Sequence, residues 1–322
     1  MKNKHLPLLL AFILIPAAAQ AASLDGPRLG WVFDESRNAL RPILGIPGAA
    51  ILGAPVDLGV SVEQAVVSPR QDFALVTTGK QKDVGIVHFS RVPLQAVKIH
   101  GVGAAPDLMA VSATGAAAAL YYKDSGRVML LTGLATTPKV ASELYLSGSP
   151  SILAVGDDRT LLAVVGKAVY WVSPHGEVPI LTGLHSIGAL YLETGHMALV
   201  ADSVANRIYQ VKNVTGVAAT AILAGPDQGI AGPVGVAISA DLQRAFVANG
   251  KTGTVVILDL ADKKESGKIS CGCKPTGLYA LDGENLFRLT EASDRPLWLF
   301  EMSAGKQRVL FVPGEMTESG KR

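Results

Sequence analysis

Short apolar runs alternate with small polar clusters along most of the chain. One unit recurs six times: an apolar run, a polar turn, then a second apolar run. In order the units read Gln64-AVVSPRQDFALVTT, Leu108-MAVSATGAAAALYY, Ile152-LAVGDDRTLLAVVG, Gly188-ALYLETGHMALVAD, Gly235-VAISADLQRAFVAN and Gly277-LYALDGENLFRLTE. Two β-rich runs joined by a few turn-forming residues predict a hairpin. A third run follows each hairpin, as in Gly85-IVHF, Arg127-VMLL and Gly253-TVVILDL, and a fourth follows that, as in Lys139-VASELYL and Glu177-VPILTG. Four consecutive strands recurring every 36 to 47 residues match the blades of a propeller. One such unit cannot bury both its faces alone. Stacking units around an axis buries them and leaves only short edges exposed. The predicted fold class is therefore all-β: a β-propeller of four-stranded antiparallel blades.

Six full blades fall between about residue 62 and residue 313. Before them, Trp31-VFDESRNALRPILGIPG lines up with Trp298-LFEMSAGKQRVLFVPG. The N-terminal segment thus reads as an outer-strand pair without its inner hairpin, with Ala50-ILGAPV as one further strand. That material makes either a reduced seventh blade or a clasp closing a six-bladed ring. Seven blades are expected, with six as the alternative.

The first residues carry an address. Lys2 and Lys4 precede an apolar stretch from Leu6 to Ile15, and Ala19-Gln20-Ala21 supplies the small-x-small cleavage pattern. The stretch is too short for the roughly 20 residues of a spanning helix. The expected organisation is a signal peptide over 1–21, one propeller domain over 22–314, and a disordered tail over 315–322. The expected location is secreted or periplasmic, with no membrane span after cleavage.

Composition agrees with this picture. Hydrophobic residues make up 49% and charged residues 17%, as expected where strands are buried on both faces. The 34 Gly and 18 Pro suit many tight turns. Loss of Lys2 and Lys4 takes the formal charge from +2 to zero, and the remaining basic residues lie scattered among acidic ones. A nucleic-acid partner is disfavoured.

Two segments carry a resemblance. Gly232-PVGVAISADLQRAFVANGKTGTVVILDL resembles a YVTN-type propeller repeat, and Val200-ADSVANRIYQV resembles its NHL variant, where A-D-S precedes N-R-I. The first match departs from the pattern where Leu242 stands in place of the usual Gly of the hairpin turn. The whole chain also resembles secreted bacterial propeller proteins of unassigned function. The resemblance implies a fold and export, and no activity, because propellers host enzymes, ligand binders and scaffolds alike.

In propellers, binding usually takes place where the loops leading into the inner strands converge. Aligning the repeats places Glu63, Asp107, Ser151, Ile187, Val234 and Thr276 in that ring, with Arg28 as a seventh member. Of these, Glu63, Asp107, Ser151 and Thr276 are the ligand-binding candidates. Glu63 and Asp107, on neighbouring blades, could hold a divalent cation or act as an acid/base pair; as solvated loop ends they would do neither. His88, His100, His175, His185 and His196 form no ligand spacing, although His100 and His185 lie near loops that feed inner strands. Propeller lyases and lactonases need a His base or an acidic metal set inside the channel, and neither recurs at matching positions here. No nucleophile motif is present, and no metal and no cofactor are expected. Cys271 and Cys273 are expected to form a disulfide in an oxidising compartment. Trp31, Trp171 and Trp298 fall on third strands and are expected to pack between blades.

The function expected from these residues is an exported binding scaffold, a monomer, contacting a protein or a small-molecule ligand at the propeller face. Two alternatives stand beside it: a metal-dependent hydrolase or lyase built on Glu63 and Asp107 at the channel mouth, and a structural component of an envelope or export assembly.

Overall fold

The structure is a computed structural model that describes residues 26–79, 82–194 and 196–314. The expected signal peptide and C-terminal tail lie outside the described residues. Seven antiparallel sheets form the blades of a propeller, six of four strands and one of three. Blade one comprises Arg28–Asp34, Ala39–Ile46 and Ala49–Leu52. Blades two to seven begin with the inner strands Val62–Val67, Leu108–Val111, Ile152–Val155, Ile187–Leu192, Pro233–Ile238 and Tyr279–Ala280. In each of these the strands are laid down from the channel outward in chain order.

Burial explains the apolar rhythm. Second strands such as Ala198–Asp202 are buried along their whole length, so they read as unbroken apolar runs. Outermost strands such as Lys264–Ser270 alternate with solvent and carry charge. The cores lie between blades. Leu199, Ala201 and Ile208 of blade five pack on Val236, Val247 and Val256 of blade six. Leu29, Val32 and Ile43 of blade one pack on Leu281, Leu297 and Leu299 of blade seven, which closes the ring.

Four of the turns between first and second strands, in blades two, three, four and six, share one backbone device. Gln71, Gly115, Arg159 and Leu242 take φ of 59°, 76°, 73° and 59°. Each donates its N–H to the carbonyl three residues earlier, of Ser68, Ser112, Gly156 and Ser239 respectively. A left-handed residue is required there, and glycine adopts that conformation most easily. Leu242 therefore occupies a glycine position.

Blade one corrects the reading of the N-terminus. Its Arg28–Asp34 strand lines the channel, yet it runs opposite to the six inner strands. At the end where inner strands turn into second strands, Leu29 C=O accepts from Asp282 N–H at 2.8 Å, and Trp31 N–H donates to Gln71 Oε1 at 2.6 Å. At the other end, the channel mouth, Arg37 reaches Asp294 at 3.5 Å. Second strands run in that direction. The shared Trp-plus-apolar pattern suits any strand buried on both faces, so it cannot separate a second strand from a third. Asp34 and Asn38 separate them: they match Asp202 and Asn206 of blade five, and Asn38 and Asn206 take φ of 49° and 53°. Trp31 is thus not on a third strand, whereas Trp171 and Trp298 are. Trp31 still packs between blades, stacked on Phe89 of blade two at 4.5 Å. Arg28 lies at the turn end, over the Trp31 ring, and does not join the mouth ring.

Candidate channel site

The seven blades enclose a central cavity of about 850 Å³. Successive inner strands supply small and aliphatic side chains to its wall, among them Ala65, Ala110, Leu153, Ala154, Leu190, Ala237 and Ile238, and the turns add Arg70, Gln71, Glu284 and Asn285. Alternation sends successive side chains of an inner strand to the blades on either side, Leu153 towards blade three and Ala154 towards blade five, and short ones fit where the strands converge on the channel.

Blade seven adds a connected polar cluster to the wall. Arg288 ends the short strand Leu286–Arg288 and is almost buried, its side chain 11% exposed. Its Nη1 donates to Thr290 C=O at 2.7 Å and to Glu291 Oε2 at 2.5 Å. The guanidinium lies over the Tyr279 ring, 4.0 Å from its centroid. Glu291 also accepts from Thr276 Oγ1 at 3.2 Å and from the Tyr279 hydroxyl. Gly277 makes room for this ring, because a Cβ there would meet it at 2.6 Å.

The protonation states follow from these contacts. Burial pushes the Glu291 carboxyl up, but the charge of Arg288 and three side-chain hydrogen bonds outweigh it and hold the group below its ordinary value. Burial, with the neighbouring Glu291 charge, pushes the Tyr279 hydroxyl up to about 12. Burial does the same to Tyr191 across the channel, also to about 12, with Glu193 and Asp157 adding to it. At neutral pH the carboxylate is ionised and both phenols are protonated. Such groups hold hydrogen bonds well, and none is poised near neutrality to exchange a proton.

The residues expected at the mouth are dispersed. Glu63 is exposed, and the Asp107 carboxylate accepts the Lys123 N–H of its own blade at 2.7 Å. Ser151 is exposed, its N–H donating to Val164 C=O. Neither Glu63, Asp107 nor Ser151 is part of the cavity wall. Thr276 alone of the four joins a polar cluster. Among the described residues no group of three or more His, Cys, Asp or Glu could hold a metal ion. His100 and His185 do not line the cavity; His185 instead lies against Asp202, Nδ1 at 3.3 Å. The sulfurs of Cys271 and Cys273 are at bonding distance with Cα atoms 5.1 Å apart, and Gly272 between them takes φ of 63°.

Arg288 carries a signal that the sequence reading passed over. It stands two residues beyond the carbonyl that closes its turn, that of Leu286. Blades two, three, five and six carry Leu75, Ala119, Leu199 and Phe246 at that place, all fully buried. A charged residue at a doubly buried repeat position marks a site.

No protein-family model matches the chain, and no curated protein does. Solved structures do. A functionally unknown protein from Desulfotomaculum acetoxidans superposes with a TM-score of 0.62 at 12% identity, over 90% of this chain and 100% of that one. A putative 6-phosphogluconolactonase from Bacteroides fragilis gives 0.57 at 12%, over 89% and 95%. Virginiamycin B lyase from Staphylococcus aureus gives 0.52 at 11%, over 86% and 92%. At such identities the likeness extends to the propeller fold and stops there.

Proposed function

We propose that this protein is an exported binding scaffold that takes its ligand into the central channel. The observation that carries the proposal is a channel cavity in which aliphatic side chains stand beside a polar cluster whose groups are held in their binding-ready ionisation states. A cavity of this size and lining is typical of sites for small organic ligands. Of the mouth residues Glu63, Asp107, Ser151 and Thr276, only Thr276 touches the polar cluster, through Glu291. The NHL-like and YVTN-like segments support the same repeat type, through Asp202 and Asn249 at the ends of second strands. Export is proposed from the N-terminal residues, and N-terminal sequencing of the protein from culture should begin at Ala22.

The test of the channel is native mass spectrometry of protein purified from its own host. Wild type should retain a small-molecule mass, and Ala110→Trp with Ala237→Trp, which fills the cavity, should lose it. Retention of the same mass by the filled variant would place the ligand elsewhere.

A further inference from the structure

We infer that the channel selects amphipathic monocarboxylates, molecules with an apolar body and one carboxylate head, and that Arg288 takes the head. The inference rests on the channel being the binding site. Arg288 is held on three sides by Thr290, Glu291 and the Tyr279 ring. Its Nε and Nη2 have no partner among the described residues, and the residue forms part of the cavity wall.

The hydrogen-bond inventory decides the class. Both oxygens of Glu291 already accept, from Thr276 and from Arg288, and the Tyr279 hydroxyl donates to the same group. What the cluster still lacks is an acceptor for the free guanidinium edge. Two parallel N–H donors in a rigid fork match the two oxygens of a carboxylate, whereas a hydroxyl or a single carbonyl answers only one of them. Glu291 lies on the opposite edge of the guanidinium, so it orients Arg288 and keeps the unliganded cation from being buried alone. Beyond the cluster, Leu153, Leu190, Ala237, Ile238 and Leu278 give the wall an apolar stretch that fits an aliphatic or aromatic body, while Arg70, Gln71, Glu284 and Asn285 lie at its turn end.

Calorimetric titration with three probes of equal chain length, decanoate, decanol and decylamine, tests this. Decanoate should bind about tenfold or more tightly than decanol, the effect expected of hydrogen bonds to a charged group, and decylamine should bind weakest. Arg288→Gln should abolish the preference while leaving decanol binding in place. Should that variant fail to fold, Arg288→Lys keeps a cation without the fork and should lose most of the preference. Equal binding of decanoate and decanol would overturn the carboxylate inference and leave the channel reading standing. A preference that survives both substitutions would overturn the assignment to Arg288. Binding of no probe to a wild type that still carries its co-purified mass would overturn the ligand class alone.

Discussion

Blades six and one solve the same problem with different means. In both, a polar residue is fully buried at the mouth end of a strand that runs in the second-strand direction. In blade six it is Asn249, which accepts from Ala231 N–H at 3.0 Å and donates to Gly229 C=O at 2.9 Å and to Thr254 Oγ1 at 3.0 Å. Every partner lies within its own blade, and none is charged. In blade one it is Asp34, paired with buried Arg41 at 2.9 Å and capped by the Ser36 hydroxyl at 2.6 Å. The Arg41 Nε in turn donates to Gly53 C=O at 2.8 Å. Blade one also borrows from outside itself. The Gln71 carboxamide accepts from Trp31 N–H and donates to Ala280 C=O at 2.7 Å, joining blades two, one and seven. Blade six also reaches its neighbours, Gly232 N–H donating to Asn206 Oδ1 at 2.7 Å and Ala240 N–H to Asn285 Oδ1 at 2.8 Å, but over 26 and 45 positions, while the seam spans residues up to 209 positions apart.

The sharpest way to break this comparison is to remove a charge. Arg41→Ala removes the buried partner of Asp34, leaving it the Ser36 hydrogen bonds and the more distant Arg37 at 3.8 Å, and should destabilise the protein by about 3 kcal/mol or more. Asn249→Ala, which leaves only neutral groups unpaired, should cost about 1–3 kcal/mol. Urea denaturation of both variants measures the difference, and equal losses would erase the distinction between the blades. Next in size, Gln71→Ala should lose about 1–2 kcal/mol for its two hydrogen bonds. Hydrogen exchange should then quicken at Trp31 and its neighbours, with blade six unchanged.

The comparison also has a pH axis. Burial pushes the Asp34 carboxyl up, but the Ser36 and Arg41 hydrogen bonds and the Arg41 charge outweigh it, and the group sits below its ordinary value. A depressed carboxylate stabilises the fold fully above its unfolded value of about 4 and loses that contribution as pH falls through the folded value. Wild type should therefore lose stability below about pH 4 more steeply than Asp34→Asn, read by thermal melts in that range. Smallest of all, Leu242→Gly in blade six should gain up to about 1 kcal/mol by relieving a left-handed leucine. A lower melting temperature for this variant would show that the leucine side chain, 55% exposed, contributes packing that outweighs the strain.

How much of this was legible varies by region. The six hairpin units were legible because second strands such as Phe73–Thr78 are buried on both faces and show it as an unbroken apolar run. The left-handed turn position was half legible, through the glycine that Leu242 replaces. Blade one was misplaced by one strand, since Trp31 and Trp298 sit in similar apolar runs although one strand leads its sheet and the other is third. The channel cluster was not legible at the loop ends, where Glu63 is exposed and Asp107 holds the Lys123 N–H of its own blade. Arg288 could have been found by asking which blade puts a charge where its siblings put Leu75, Ala119, Leu199 and Phe246.

By itself the sequence determined the β class, the rhythm of the blades and the chemistry of their turns. Those properties are local: the two-residue period, burial on both faces and the φ of a turn residue all act within a few positions. Only the tertiary structure decided the course of the Arg28–Asp34 strand, the Gln71 bridge across the seam, and the meeting of Tyr279, Arg288 and Glu291 on the channel wall. Apolar strands fit many places in a ring equally well. Hydrogen bonds and charges, being directional and distance-dependent, choose among those places only once the ring has closed.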